Sequence, residues 1–203
     1  MLTDPAITPA LLITLFTFAA VNSITPGPNN IMLMVSGVNF GVPRTVPQMA
    51  GIFTGLLLIN LATGFGLGLV FSQAPLVRSV LMALGVAYVL WLAWKIASAG
   101  SLGGGEMAHP LGFVPAFAFQ WINPKLWIMS VTAVALYVRP GYALADTLLV
   151  TGVYSLVNIP AMLAWAGGGA LLREALQKPA RIRLFNIVMA VLLVASVAAI
   201  LRR

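Results

Sequence analysis

The sequence predicts an all-α integral membrane protein, with six transmembrane helices arranged as a 3+3 inverted repeat. Hydrophobic residues make up 61% of the 203 residues and charged residues only 7%, against roughly 25% in an ordinary soluble domain. One core in a chain of this length cannot bury so much apolar surface and still leave a charged exterior, so a soluble enzyme is excluded. Disorder is excluded too, because disordered chains are poor in apolar residues.

Composition also limits the chemistry that the chain can perform. There is no cysteine and one histidine, His109, which excludes disulfides, Cys-based zinc sites and thiol redox relays. The formal net charge is +7, but basic residues spread along a hydrophobic chain do not form the basic face that binds nucleic acid. We therefore expect membrane lipid as a partner, and no metal, cofactor or nucleic acid.

Six stretches approach or exceed the roughly 20 apolar residues that a membrane-spanning helix needs. They run over 9–25, 47–71, 76–97, 111–138, 146–172 and 184–201. The connectors between them are short and leave no room for a soluble domain. The sequence therefore predicts one transmembrane domain over 1–203, with three-helix halves over 1–98 and 113–203 and a glycine-rich linker over 99–112.

The first apolar stretch is too long for one straight helix. It continues from residue 9 to residue 40, about 48 Å of helix against a hydrocarbon core of about 30 Å. Pro26 and Pro28 remove two backbone donors, and Gly27 allows the chain to reverse. The sequence therefore predicts a broken or re-entrant helix at Pro26–Pro28.

The fourth stretch carries a second interruption, Asn123-Pro124-Lys125. Each interruption lies in the first span of its half. Three spans per half would place the halves in opposite orientations, the inverted-repeat plan of many secondary transporters.

Broken backbone at membrane depth is tolerated only inside protein or along a watery cavity. The second half-helix then presents free N–H groups and a partial positive charge, and the first presents free carbonyls. An amino acid zwitterion carries a carboxylate for the former and an ammonium for the latter, so two facing breaks would frame one small polar ligand. The alternative is a purely structural kink, since proline is common in membrane helices.

Lys125 is the only ionisable side chain well inside a predicted span, and an intramembrane lysine is a functional hypothesis by default. It could pair with a substrate carboxylate or titrate, or its head could snorkel to the interface. Asn60 and Asn158 either line the pathway or bond between helices, and Gln120 and Ser130 are weaker candidates beside the second break. The candidate substrate-binding residues are Pro26, Gly27, Pro28, Asn29, Asn30, Asn123, Pro124, Lys125, Asn60 and Asn158.

Several of these segments resemble a known family. Ile24-Thr-Pro-Gly-Pro-Asn-Asn-Ile31 resembles the signature of the LysE/RhtB family of bacterial amino acid exporters. Gly51-Ile-Phe-Thr-Gly55, the third-span segment from Gly85 to Lys95, and Asn123-Pro-Lys125 are similar to its later motifs. The likeness covers nearly the whole chain, and Trp-Leu-Ala-Trp-Lys-Ile and Phe-Ala-Phe-Gln-Trp-Ile-Asn look most like the subgroup that exports cysteine and O-acetylserine.

The resemblance implies a secondary transporter, not an enzyme, that exports small neutral amino acids across the bacterial inner membrane by proton antiport. The residues themselves do not supply the membrane-embedded carboxylate or histidine that such coupling normally uses. Lys125 could carry the proton, Asp146 could serve at the membrane edge, or transport could be uncoupled. No phosphate-binding loop motif is present, so ATP hydrolysis by this chain is excluded as the energy source.

Other functions fit less well. A metal-ion permease lacks ligands at membrane depth, and a membrane enzyme lacks titratable groups gathered together. A non-transporting membrane subunit that binds a partner protein would explain the apolar spans, but not two breaks at corresponding positions in the two halves. A homodimer stays open, because small-residue pairs such as Gly51 and Gly55 pack helices within or between chains alike.

Overall fold

The protein is described here by a computed structural model that covers residues 7–99 and 109–201. Within these residues the chain forms nine α-helices, with a π-helical turn at Thr63–Leu67 between the third and the fourth. The helices are α1 (Pro9–Ile24), α2 (Pro28–Phe40), α3 (Val42–Ala62), α4 (Gly68–Gln73), α5 (Pro75–Ser98), α6 (Phe113–Ile122), α7 (Pro124–Tyr137), α8 (Ala143–Leu172) and α9 (Pro179–Leu201). Most of the predicted linker over 99–112 lies outside the described residues.

The described chain has four to five candidate membrane spans. Four continuous segments are long and apolar enough to cross a membrane: Val42–Gln73, Pro75–Ser98, Ala143–Leu172 and Pro179–Ala199. The pair α1 and α2 is a fifth candidate, bent by 52° at its break. Helices α6 and α7 have 10 and 14 residues, each too short to span alone. The all-helical membrane class is confirmed, whereas the six-span inverted repeat is not and stays a prediction.

Both predicted helix breaks are present. Helix α1 ends at Ile24 and α2 begins at Pro28, and α6 ends at Ile122 and α7 begins at Pro124. Each second half-helix thus begins with a proline, where the missing N–H has no intrahelical partner to lose and the fixed φ suits the helix. The prolines therefore act mainly by starting the second half-helices.

The structure departs most from the predicted spans at three places. Helix α3 begins at Val42 and passes through Pro47, because Gly41, with φ +77°, makes the turn after α2. The π-helical turn, with Gly66 at φ +112°, interrupts the second predicted span. The last helix begins at Pro179, five residues before the predicted start, because polar residues form its first turns.

Glycines bring two pairs of helices into backbone contact. A Cβ on Gly37 of α2 would collide with the Ala166 carbonyl of α8, and one on Gly169 of α8 would collide with the Met34 carbonyl of α2. A Cβ on Gly51 of α3 would likewise overlap the carbonyl of Phe113 in α6. Small residues at such seams allow close approach in membranes. These seams hold the second half of one break and the first half of the other.

Replacing Gly37 with alanine is expected to lower the stability of the protein by about 1–3 kcal/mol, because the added methyl meets backbone that cannot move aside. The thermal unfolding midpoint of the purified protein in detergent measures this. Gly152→Ala is the matched control, since a Cβ at Gly152 meets nothing within 4 Å. An unchanged midpoint for Gly37→Ala would contradict the close approach of α2 and α8.

Candidate functional site

The two helix breaks face each other and are joined by side-chain contacts. Asn29 Nδ2 donates to Gln120 Oε1 at 2.8 Å, and Gln120 Nε2 donates back to Asn29 Oδ1 at 3.1 Å. Lys125 Nζ donates to the Thr25 carbonyl at 2.9 Å. The Lys125 side chain lies directly on Gly27, where a Cβ would come within 2.9 Å of its Cδ and Nζ atoms. A larger residue at position 27 would therefore displace the lysine.

The carbonyls that end α1 are occupied by groups of the chain itself. Thr25 O accepts from Lys125 Nζ and also from Asn30 Nδ2 at 3.0 Å. Asn30 Nδ2 donates to Ser23 O as well, at 2.7 Å. This end of α1 thus offers acceptor oxygens with the partial negative charge of a helix C-terminus, and a cation already lies against it.

The two second half-helices begin differently. Asn123 caps α7, because its Oδ1 atom accepts from the backbone N–H of Lys125 at 3.1 Å. In the described chain no side chain caps α2, whose cap residue is Gly27. The N-terminus of α2 therefore presents uncapped N–H groups and a partial positive charge, a favourable place for a carboxylate.

A small cavity with a mixed polar and apolar lining lies between the breaks. Its volume is about 40 Å³, room for about three water molecules at roughly 10–15 Å³ each. A wider groove of about 370 Å³ between α1, α7 and α9 adjoins it. Asn22, Lys125 and Met129 line both spaces, so the Lys125 side chain lies on the boundary between them.

The structure brings most of the predicted site residues together at this cavity. Those that line it are Gly27, Pro28, Asn29, Asn30, Asn123, Lys125 and Asn158. Pro26 lines the wider groove instead, and Pro124 packs against Gly85 of α5. Asn60 does not line the cavity; its Oδ1 atom accepts from Ser130 Oγ at 2.6 Å.

Three polar residues at the breaks or the cavity are not among the predicted substrate-binding residues. Gln120 is fully buried and completes the contact with Asn29, and Asn22 and Ser23 line the cavity. A signal for Gln120 was available, because it lies three residues before Asn123, close to the same helix face. Whether the side of α1 that carries Asn22 faces the cavity depends on how α1 packs, and the sequence of α1 does not reveal this.

Asp146 lies apart from the cavity in a tight ion pair. Its carboxylate accepts from Arg139 N at 2.9 Å, Nε at 2.8 Å and Nη2 at 2.7 Å, and the side chain is 1% exposed. Three donors, two of them from a guanidinium, stabilise the ionised carboxylate. The geometry therefore favours a structural role for Asp146 at the turn between α7 and α8. Among the described residues that line the cavity, Lys125 is the one ionisable side chain.

Comparison with known proteins places the chain in one family. The family described as LysE type translocator matches residues 20–202. The chain is 34% identical over 191 residues to the cysteine/O-acetylserine efflux proteins of Escherichia coli strain K12 and Shigella flexneri, covering 92% of this chain and 95% of each relative. It is 32% identical over the same shares to the protein of that name from Salmonella typhimurium strain LT2. No solved structure matches the chain significantly.

Proposed function

Because the chain belongs to the LysE type translocator family, a family of multi-pass bacterial inner-membrane transporters, we propose that it exports small neutral amino acids by proton antiport. The names of its relatives support cysteine, O-acetylserine and similar compounds as the substrate class. The match covers 95% of those relatives, which supports carrying over their activity as a whole. In this proposal the substrate leaves chemically unchanged.

The observation that carries the proposal is the pair of facing helix breaks around one small cavity that holds several polar side chains. The carbonyls of Ser23 and Thr25 suit an ammonium group, and the uncapped N-terminus of α2 suits a carboxylate. These two groups are what every α-amino acid carries. The apolar part of the lining suits a short side chain; it consists of Ile52, Leu56, Leu126, Met129 and Met162.

Lys125 supplies the coupling in this proposal. Its ammonium group and the substrate ammonium are donors for the same Thr25 carbonyl, and the cavity is too small for both. Two cations at one place repel, so an entering substrate displaces Lys125 and favours loss of its proton. Substrate and proton therefore exclude each other, which is the condition for antiport.

Export by proteoliposomes that contain the purified chain tests the proposal. They are preloaded with O-acetylserine, cysteine, threonine, leucine or lysine in turn, with and without an imposed pH gradient. We expect release of O-acetylserine and cysteine, accelerated when the outside is acidic, and no release of lysine, whose second cation has no partner in the site. Protein-free liposomes are the control.

Two results would contradict the proposal in different ways. Release of O-acetylserine and cysteine at a rate that the pH gradient does not change would overturn antiport and leave export standing. No release of any neutral amino acid from folded protein would overturn the proposed export itself.

A further inference from the structure

Polar atoms without partners lie along the interface between α3 and α8. Among the described residues, five buried side-chain atoms there make no hydrogen bond. They are Asn60 Nδ2, Thr63 Oγ1, Thr147 Oγ1, Thr151 Oγ1 and Asn158 Nδ2. None of the five residues is more than 7% exposed. Buried polar groups in a membrane protein normally find a partner, so these atoms call for an explanation.

We call these five atoms together the polar track. On α8, Thr147, Thr151 and Asn158 are spaced by four and seven residues, so they share one face over about 16 Å. Asn60 of α3 and Thr63, which follows the last residue of α3 and is still helical, are three residues apart and also share a face.

The two helices run in opposite directions along the polar track. Gly64, next to Thr63, packs against the Thr147 side chain at one end. At the other end Leu56 of α3 and Asn158 of α8 line the same cavity. The polar faces of α3 and α8 therefore follow each other along the interface.

The polar track lies between the cavity and the α7–α8 turn. Its inner end is Asn158, which lines the cavity together with Lys125. Its outer end is Thr147, which follows Asp146 in the first turn of α8. There the ion pair of Arg139 and Asp146 marks the α7–α8 turn.

We propose that the polar track is hydrated and carries protons between Lys125 and the α7–α8 turn; this rests on the proposed antiport. Water that bonds to buried hydroxyl and amide groups would satisfy all five atoms. When the substrate displaces Lys125, the Nζ–H bond breaks, its electron pair stays on Nζ, and the proton passes to water in the track. The track delivers it to bulk water at the turn, and the return step restores the ammonium.

The threonines of the polar track behave unlike others in the chain. Thr14 and Thr45 donate their hydroxyls to carbonyls of Leu11 and Gly41, one turn earlier in the chain. Thr147 makes no such bond, nor does Thr151. Their hydroxyls are thus available to hydrogen-bond with a chain of water molecules.

Removing the two hydroxyls tests the proposal. Thr147→Val with Thr151→Val keeps the side-chain shape, and the controls are Thr14→Val and the double Thr→Ser variant at 147 and 151. Each protein is reconstituted and assayed with O-acetylserine for acceleration by a pH gradient and for one-for-one substrate exchange, which moves no net proton. We expect the double valine variant to lose the acceleration and keep exchange, while both controls keep both activities.

Three other outcomes would overturn the proposal. Full acceleration in the double valine variant would exclude the polar track as the proton route while leaving antiport intact. Loss of exchange together with acceleration, in both the valine and the serine variants, would assign the two threonines to packing. A wild-type protein that exports without any acceleration would overturn the proposed antiport, and the polar track with it.

Discussion

Lys125→Ala is expected to reduce gradient-driven export to the level of protein-free liposomes, the largest effect of any single substitution at the cavity. The change removes both the cation that lies against the Thr25 carbonyl and the one ionisable side chain among the described residues that line the cavity. Release of O-acetylserine from proteoliposomes under an imposed pH gradient measures the effect. Insertion and folding are expected to persist, because the Thr25 carbonyl keeps Asn30 Nδ2 as a donor at 3.0 Å when the lysine is removed.

Two further lysine variants separate charge from proton transfer. Lys95→Ala is the matched control, because Lys95 Nζ lies over the Trp91 ring at 4.7 Å, away from the helix breaks, and full export is expected. Lys125→Arg keeps a cation that does not give up its proton in proteins, so we expect one-for-one exchange without acceleration by the gradient. Wild-type export rates in Lys125→Ala would refute the assignment of this residue.

Breaking the amide pair between the two helix breaks is expected to have the second largest effect. Asn29→Ala leaves Gln120, which is 0% exposed, without its partner across the break. Gln120 Nε2 keeps the Ala116 carbonyl as an acceptor at 2.8 Å, so the cost is that of the two lost hydrogen bonds, about 0.5–1.5 kcal/mol each. We therefore expect slower export and a lower thermal unfolding midpoint. Gln120→Ala is expected to have a similar effect, since it leaves Asn29 unpaired.

A double-mutant cycle shows whether the pair acts as one unit. Two groups in direct contact are not additive, so Asn29→Ala combined with Gln120→Ala is expected to cost no more than either change alone. Export rate and unfolding midpoint are measured for all four proteins of the cycle. Additive losses would mean that the two amides act separately and that the reciprocal contact is not what joins the breaks.

The helix breaks could be predicted from sequence because they follow from local backbone chemistry. Pro26 and Pro28 flank Gly27, and Pro124 follows Asn123, so each break combines a proline with a residue that favours leaving the helix, whereas the single Pro47 is accommodated inside α3. The membrane class could be predicted too, because the composition alone decides it. The π-helical turn between α3 and α4 was not predicted although Gly64, Gly66 and Gly68 lie close together there, because glycines in a membrane helix also serve close helix packing without interrupting it.

The partners across the breaks depend on packing and were beyond sequence reasoning. Asn29 and Gln120 are 91 residues apart, and they meet only when α2 and α6 are positioned correctly against each other. Lys125 illustrates the same limit, since the sequence left pairing with a substrate carboxylate, titration and snorkelling all open for it. The structure instead places it against the Thr25 carbonyl, an acceptor that exists only because α1 ends there.

The acceptor-only end of α1 has a consequence for metabolite retention. The carbonyl oxygens of Ser23 and Thr25 lie there. Only a ligand group that is both cationic and rich in N–H donors can displace the Lys125 ammonium group from them. Acylation of an amino acid nitrogen removes its charge and leaves a single donor. On the proposed exchange, an N-acylated amino acid would not release Lys125 and would stay inside the cell, while its free form leaves.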